Sequence, residues 1–113
     1  NSTNKIFPNI LIMARYLLTQ RAEQDYREIL AFTLNEWGME QFTAYATLLD
    51  NAFERLVAMP RFGIRRDDIH EGYYCYRVEK HYIFYRINDD RIEVVRILHT
   101  KRKMTRDLFS NDL

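Results

Sequence analysis

Four residues of this chain have side chains suited to acid–base chemistry at a nucleic-acid phosphate. They are Arg77, Lys80, His81 and His99, and they fall in a strand-like stretch of the second half. Because side chains alternate between the faces of a strand, these residues could approach one another on neighbouring strands, beside Cys75. Such a set could bind an RNA phosphate and move a proton during attack by a 2′-hydroxyl. The alternative is that the histidines make ordinary hydrogen bonds and the arginine is solvated.

Metal, cofactor and nucleophile chemistry have no support in the sequence pattern. The three histidines are widely spaced, and Cys75 has no cysteine partner for a metal site or a disulfide. The chain also has no glycine-rich phosphate loop and no serine in a nucleophile-elbow context. We therefore expect no metal and no cofactor. A lone cysteine suits the reducing cytoplasm, and no apolar run approaches the roughly eighteen residues of a membrane span.

The formal net charge of +1 conceals an uneven distribution along the chain. Residues 1–59 carry five Lys and Arg against seven Asp and Glu, whereas residues 60–106 carry twelve against seven. The basic second part favours an acidic partner there, either a protein or a nucleic acid. A solvated surface of mixed charge explains the same distribution equally well.

Three successive strands are predicted between residues 71 and 99. β-branched and aromatic residues dominate this stretch, and its breaks are polar, at residues 79–80 and 88–90. Both breaks are short enough for tight antiparallel connections. A meander of this size cannot bury both of its faces by itself. We expect upstream elements to cover one face, and the basic face to stay free for another macromolecule.

Two helices are predicted upstream of the meander. Thr19 is a suitable N-cap for the first, and Gly38 ends it, since glycine enters the left-handed conformation at little cost. The second helix follows almost at once and ends at Pro60, so the two helices should be antiparallel neighbours. Asp25 falls on a polar face of the first helix, and Trp37 is interpreted as packing at its end. The two predicted apolar stripes are Ala22, Tyr26, Ile29, Leu30, Thr33 and Trp37, then Phe42, Tyr45, Leu49, Ala52, Phe53 and Leu56.

The predicted fold class is α+β, with the order β-α-α-β-β-β and an antiparallel sheet packed against an N-terminal helical hairpin. The first strand is placed at residues 15–18, and residues 61–71 are predicted as an irregular loop. A length of 113 residues suits a single domain, which we place at residues 13–113. Residues 1–12 do not resemble the rest. We expect them to be an appended or flexible extension, with Met13 as the natural start.

Five segments in this order resemble the ParE-type toxins of the RelE/ParE superfamily. They are residues 37–41 (WGMEQ), 60–63 (PRFG), 67–73 (DDIHEGY), 81–86 (HYIFYR) and 92–99 (IEVVRILH). The resemblance spans about residues 14–108. It implies a bacterial type II toxin–antitoxin toxin with the RelE/ParE-like fold.

For ParE-like members the resemblance implies inhibition of DNA gyrase, through its A subunit, and a block of replication without catalytic chemistry of their own. It also implies a ParD-like antitoxin that wraps an extended, helical segment around the toxin and becomes ordered on binding. Relatives that cleave ribosome-bound mRNA usually carry a Tyr or His near the C-terminus, and residues 108–113 contain neither. The gyrase function is therefore favoured.

Three functions stay open at this point. The first is the gyrase inhibitor, and the second is a RelE-like, ribosome-dependent mRNA endonuclease that uses Arg77, Lys80, His81 and His99. The third is a purely structural binding module. We expect no membrane association and no sequence-specific nucleic-acid binding by the toxin alone. The residues expected to bind the target or the antitoxin are Arg65, Arg66, Arg77, Lys80, Arg86, Lys101 and Arg102.

Overall fold

The computed structural model describes residues 15–112. The predicted extension at residues 1–12 and the predicted start at Met13 lie outside these residues, and both stay predictions. The elements are strand β1 (Tyr16–Leu18), helix α1 (Gln20–Trp37), helix α2 (Met39–Ala58), strand β2 (Ile64–Arg65), strand β3 (Tyr74–Val78), strand β4 (His81–Asn88), strand β5 (Arg91–His99) and a 3₁₀ helix (Arg106–Asp112).

The helices begin and end where the sequence predicts. The Thr19 hydroxyl accepts a hydrogen bond from the Ala22 amide at 3.1 Å, which satisfies one of the unpaired amides of the first turn. Gly38 has a φ of 92°, a conformation that costs glycine little, and it separates α1 from α2. The Tyr26 hydroxyl reaches Asp50 across the pair at 2.9 Å. This contact confirms the predicted antiparallel hairpin.

Five strands form one sheet in the order β1-β5-β4-β3-β2. Strand β1 is parallel to β5, and the other neighbours are antiparallel, so the predicted meander is confirmed as β3, β4 and β5. Its breaks are two-residue turns, with positive φ at Glu79, Asp89 and Asp90. The prediction of an irregular loop was wrong at Ile64 and Arg65, because a two-residue strand has no periodicity to detect.

The helical hairpin covers one face of the sheet, as predicted. Phe53 and Leu56 of α2 are 1% and 0% exposed. They belong to a core cluster that also contains Ile83 and Tyr85 of β4 and Val94 of β5. Burial on this scale is the main source of stability for a domain of this size. The faces assigned to α2 from its spacing are therefore confirmed.

The opposite face of the sheet is not free, and that expectation was wrong. Its central side chains are apolar, and the chain after β5 returns across them. Phe109, in the 3₁₀ helix, is fully buried against Phe84 with the ring centroids 4.9 Å apart. The members of this second core cluster are Ile69, Tyr73, Cys75, Phe84, Val95, Leu98 and Phe109, with Tyr82, Met104 and Leu108 at its margin. The Arg66 guanidinium also lies over this face, 5.8 Å from the centroid of the Phe84 ring.

A buried ion pair ties α1 to the sheet. Asp25 was expected on a face of α1 away from the apolar stripe, but its carboxylate is buried and accepts from Arg96 Nε at 2.7 Å and from Arg96 Nη2 at 3.0 Å. The same carboxylate accepts from the Ile97 amide at 3.0 Å, at an edge of β5 that β1 does not cover. Arg96 also donates to the Leu108 carbonyl. The Arg96 side chain on β5 thus links this strand to α1 and to the C-terminal segment.

The observed fold class is α+β, as predicted, with β2 added to the predicted order of elements. Within residues 15–112, neither helix is long and apolar enough to cross a membrane.

Candidate partner-binding groove

A groove of about 750 Å³ opens between the helical hairpin and one end of the sheet. Its helical wall includes Phe32, Trp37 and Leu48, which are 64%, 69% and 42% exposed. The interpretation of Trp37 as packed at the helix end was therefore wrong, because its side chain is mostly exposed and lines the groove. Exposed apolar side chains that cluster at a groove are typical of a site that another molecule covers.

The floor of the groove contains the two histidines that the sequence singled out. His81 on β4 lies directly opposite His99 on β5, and their ring centroids are 5.2 Å apart. The Tyr45 hydroxyl of α2 lies 2.6 Å from His81 Nδ1, while the Lys101 amide donates to His99 Nδ1 at 3.0 Å. The Tyr45 hydroxyl therefore orients the His81 ring, and the Lys101 amide orients the His99 ring. Because His99 Nδ1 accepts a hydrogen bond, its neutral ring carries the proton on Nε2.

The surroundings of His81 keep it uncharged. Burial, reinforced by the nearby His99, lowers the pKa of His81 to about 4, and the charge of Asp25 opposes this shift. A neutral imidazole with so low a pKa is a weak general base at neutral pH. Burial also raises the pKa of the Cys75 thiol to about 11, so this cysteine is not a ready nucleophile.

The four residues considered for RNA cleavage do not converge. Lys80, His81 and His99 line the groove. Arg77 on β3 is paired with Tyr82 on β4, and directly paired residues point to the same face of a sheet. Tyr82 packs at the margin of the second core cluster, on the face away from the helices. Arg77 is therefore on the other side of the sheet, where its Nε donates to the Glu79 carbonyl at 2.8 Å.

The seven residues expected to bind a partner divide into three groups. Lys80 and Arg102 line the groove, and the Lys101 amide donates to His99, which also lines it. Arg65 and Arg66 lie at β2, and their neighbours Asp67 and Asp68 neutralise them at 2.8 and 2.9 Å. Arg77 and Arg86 belong to the second face, where Arg86 pairs with Glu93 at 2.6 Å. In the first group, Lys80 and Arg102 share the groove with the exposed apolar side chains of its helical wall.

The helical wall of the groove was not predicted from the sequence. Phe32 and Leu48 lie off the predicted core stripes, and apolar residues outside a stripe are the only signal that the sequence offers. Within the described residues, no three His, Cys, Asp or Glu side chains lie close enough together to hold a metal ion.

Comparison with known proteins identifies the family. A family model described as the ParE toxin of the type II toxin–antitoxin system parDE matches residues 16–104, from the first strand to beyond the last. The chain belongs to the ParE toxin family. The resemblance inferred from the five sequence segments is thereby confirmed, and this ParE-family chain is the toxin of a type II toxin–antitoxin system.

Individual ParE relatives match over most of their length. Toxin ParE1 of Mycobacterium tuberculosis is 36% identical over 96 residues, which is 84% of this chain and 98% of that protein. Toxin ParE1 of Caulobacter vibrioides is 32% identical over 87 residues, or 77% of this chain and 90% of that protein. A solved structure titled "Chromosomal ParDE TA system from P. aeruginosa" superposes with a TM-score of 0.67 at 17% identity, covering 80% of this chain and 99% of that one. That likeness supports the ParE fold.

Proposed function

We propose that this ParE-family toxin inhibits DNA gyrase in the cytoplasm through its A subunit, and so blocks replication. A ParD-like antitoxin neutralises it. The observation that carries the proposal is the family match, which spans every element from β1 to β5. Because ParE-like toxins need no catalytic group of their own, the low pKa of His81, which makes it a weak general base, agrees with this function.

The groove is the proposed binding site of the antitoxin. Phe32, Trp37 and Leu48 offer an apolar wall, and Lys80 and Arg102 stand on the sheet side. An amphipathic helical segment would place its apolar side chains against the hairpin and its acidic residues toward the two cations. Such a segment buries the exposed rings that the free toxin leaves in water.

The gyrase proposal is tested with purified toxin and gyrase. We expect the toxin to inhibit plasmid supercoiling and to accumulate cleaved plasmid, and we expect the antitoxin to reverse both effects. Untouched supercoiling at high toxin excess would contradict the proposal.

The antitoxin binding site is tested by calorimetric titration of toxin variants with the antitoxin. Trp37→Ala should weaken binding by about tenfold or more, since a large aromatic anchor at an interface contributes on that scale. Leu17→Ala is the matched control, because Leu17 is also an exposed apolar residue, at 40%, but lies on β1 outside the groove. Equal affinities for the two variants would place the antitoxin elsewhere.

One observation supports the RelE-like alternative, namely that Lys80, His81 and His99 share the groove. This function predicts cleavage of translated mRNA on induction of the toxin and its loss in the His99→Ala variant. Intact messages after induction would exclude it. A growth assay distinguishes a purely structural binding module from both toxins. Expression of such a module without antitoxin would cause no growth arrest.

A further inference from the structure

A second exposed apolar surface lies at the β2 edge of the sheet. Met59, Phe62 and Ile64 are 50%, 46% and 74% exposed, and they fall within six consecutive positions that join α2 to β2. We call these three residues and their flanking arginines the β2 edge. Apolar residues scattered singly over a surface are ordinary, but a cluster of this kind indicates a contact site.

Three exposed arginines flank the apolar residues of the β2 edge. The Arg55 guanidinium lies 5.9 Å from the centroid of the Phe62 ring, and Arg61 precedes that ring in the chain. Arg65 pairs with Asp67 at 2.8 Å, whereas Arg55 and Arg61 form no ion pair with any residue that the structure describes. The net positive charge favours an acidic partner.

The backbone of β2 is positioned to receive an extended segment. The Arg66 amide donates to the Tyr73 carbonyl at 2.8 Å, and Arg65 is paired with Tyr74. In an antiparallel ladder, hydrogen-bonded pairs alternate with non-bonded ones, so the N–H and C=O of Arg65 point away from β3. Ile64 shares the face of its partner Cys75, while Phe62 contacts Tyr76 on the other face, with the ring centroids 5.5 Å apart. A strand beside β2 would therefore touch apolar side chains on both faces of the sheet.

The β2 edge and the groove are separate surfaces. Tyr45 lines the groove and Met59 follows the end of the same helix, α2. At a rise of about 1.5 Å per residue, this length of helix spans roughly 20 Å. A partner seated in the groove thus leaves room for a second contact.

We propose that the β2 edge is where the toxin contacts its cellular target, through an acidic, extended protein segment that aligns with β2. The inference rests on the proposed function, since it assigns the groove to the antitoxin and this edge to the protein that the toxin inhibits.

The test compares Ile64→Glu with Leu17→Glu in the full chain. Both substitutions place a carboxylate on an exposed apolar position of an edge strand, one at β2 and the other at β1. We expect Ile64→Glu to abolish growth arrest and to weaken binding to purified gyrase by at least tenfold, with antitoxin affinity unchanged within about twofold. Leu17→Glu should behave as the wild type in all three assays. Arg61→Glu is a second variant at the β2 edge with the same expected results, and circular dichroism melting verifies that each variant is folded.

Growth arrest by folded Ile64→Glu and Arg61→Glu at wild-type strength overturns the inference. Loss of antitoxin affinity with growth arrest retained also overturns it, because the edge then belongs to the antitoxin. If the wild type arrests growth without binding gyrase, the proposed target is wrong, while the two variants still decide whether the edge contacts the true target. A wild type that causes no arrest refutes both proposals.

Discussion

Removal of the Asp25 carboxylate is expected to be among the most damaging single changes to this fold. The carboxylate makes a two-point contact with Arg96, at 2.7 and 3.0 Å, and also accepts from the Ile97 amide at 3.0 Å. The side chains of Arg96 and Asp25 are 3% and 10% exposed. In Asp25→Ala, a buried guanidinium loses its counter-ion and a backbone amide loses its acceptor.

We expect Asp25→Ala to lower the free energy of unfolding by about 3–5 kcal/mol, the usual cost of an uncompensated charge left by a broken buried pair. A domain of this size has a total stability of about 5–15 kcal/mol, so this loss brings it close to unfolding. The matched control is Glu23→Ala, which breaks the Glu23–Arg27 pair on the same helix. That pair also has a 3.0 Å contact, but its side chains are 57% and 67% exposed. The control should cost less than about 1 kcal/mol, because water screens an exposed pair.

Urea unfolding followed by circular dichroism measures these values. The set is completed by Arg96→Met and by the double variant with Asp25→Ala, which form a double-mutant cycle. We expect the double variant to lose less than the sum of the single losses, since it leaves no unpaired buried charge. Losses that add within about 0.5 kcal/mol, or a loss below about 1 kcal/mol for Asp25→Ala, would refute the reasoning.

Three further predictions concern the groove, the core and the β2 connection. Because the pKa of His81 is lowered to about 4 when folded, the unfolded chain binds more protons between about pH 6.5 and 4. Stability should therefore fall as the pH drops through this range, and thermal melts of His81→Gln should show a flatter dependence. Phe53→Ala should cost about 3–5 kcal/mol in urea unfolding, whereas Phe32→Ala, at an exposed position, should stay within about 0.5 kcal/mol. Equal losses would mean that the hairpin faces are wrongly assigned. Gly63→Ala should cost about 1–3 kcal/mol by thermal melting, because its Cβ would lie 2.7 Å from the Tyr85 hydroxyl, and an unchanged melting temperature would contradict this steric argument.

Much of the fold is predictable because its signals are local. Thr19 and Gly38 bound the first helix through their own hydrogen bonding and backbone freedom, with little help from the rest of the chain. The strand composition and the two-residue turns likewise identify β3, β4 and β5. The turn at residues 79–80 explains one error in the candidate site, namely the grouping of Arg77 with His81. Because Val78 lies opposite His81, that histidine shares the face of Val78 and not that of Arg77.

The two helices, the meander, the apolar stripe of α2 and the family resemblance can all be predicted from the sequence, since each depends on spacing or on short segments. Three features become visible only in the folded chain. Asp25 is a buried partner of Arg96, Phe109 covers the second face of the sheet, and Phe32 and Trp37 border a groove with His81. These contacts join residues far apart in the chain. Their energies depend on burial and distance, and neither can be known before the helices, sheet and C-terminal segment have packed together.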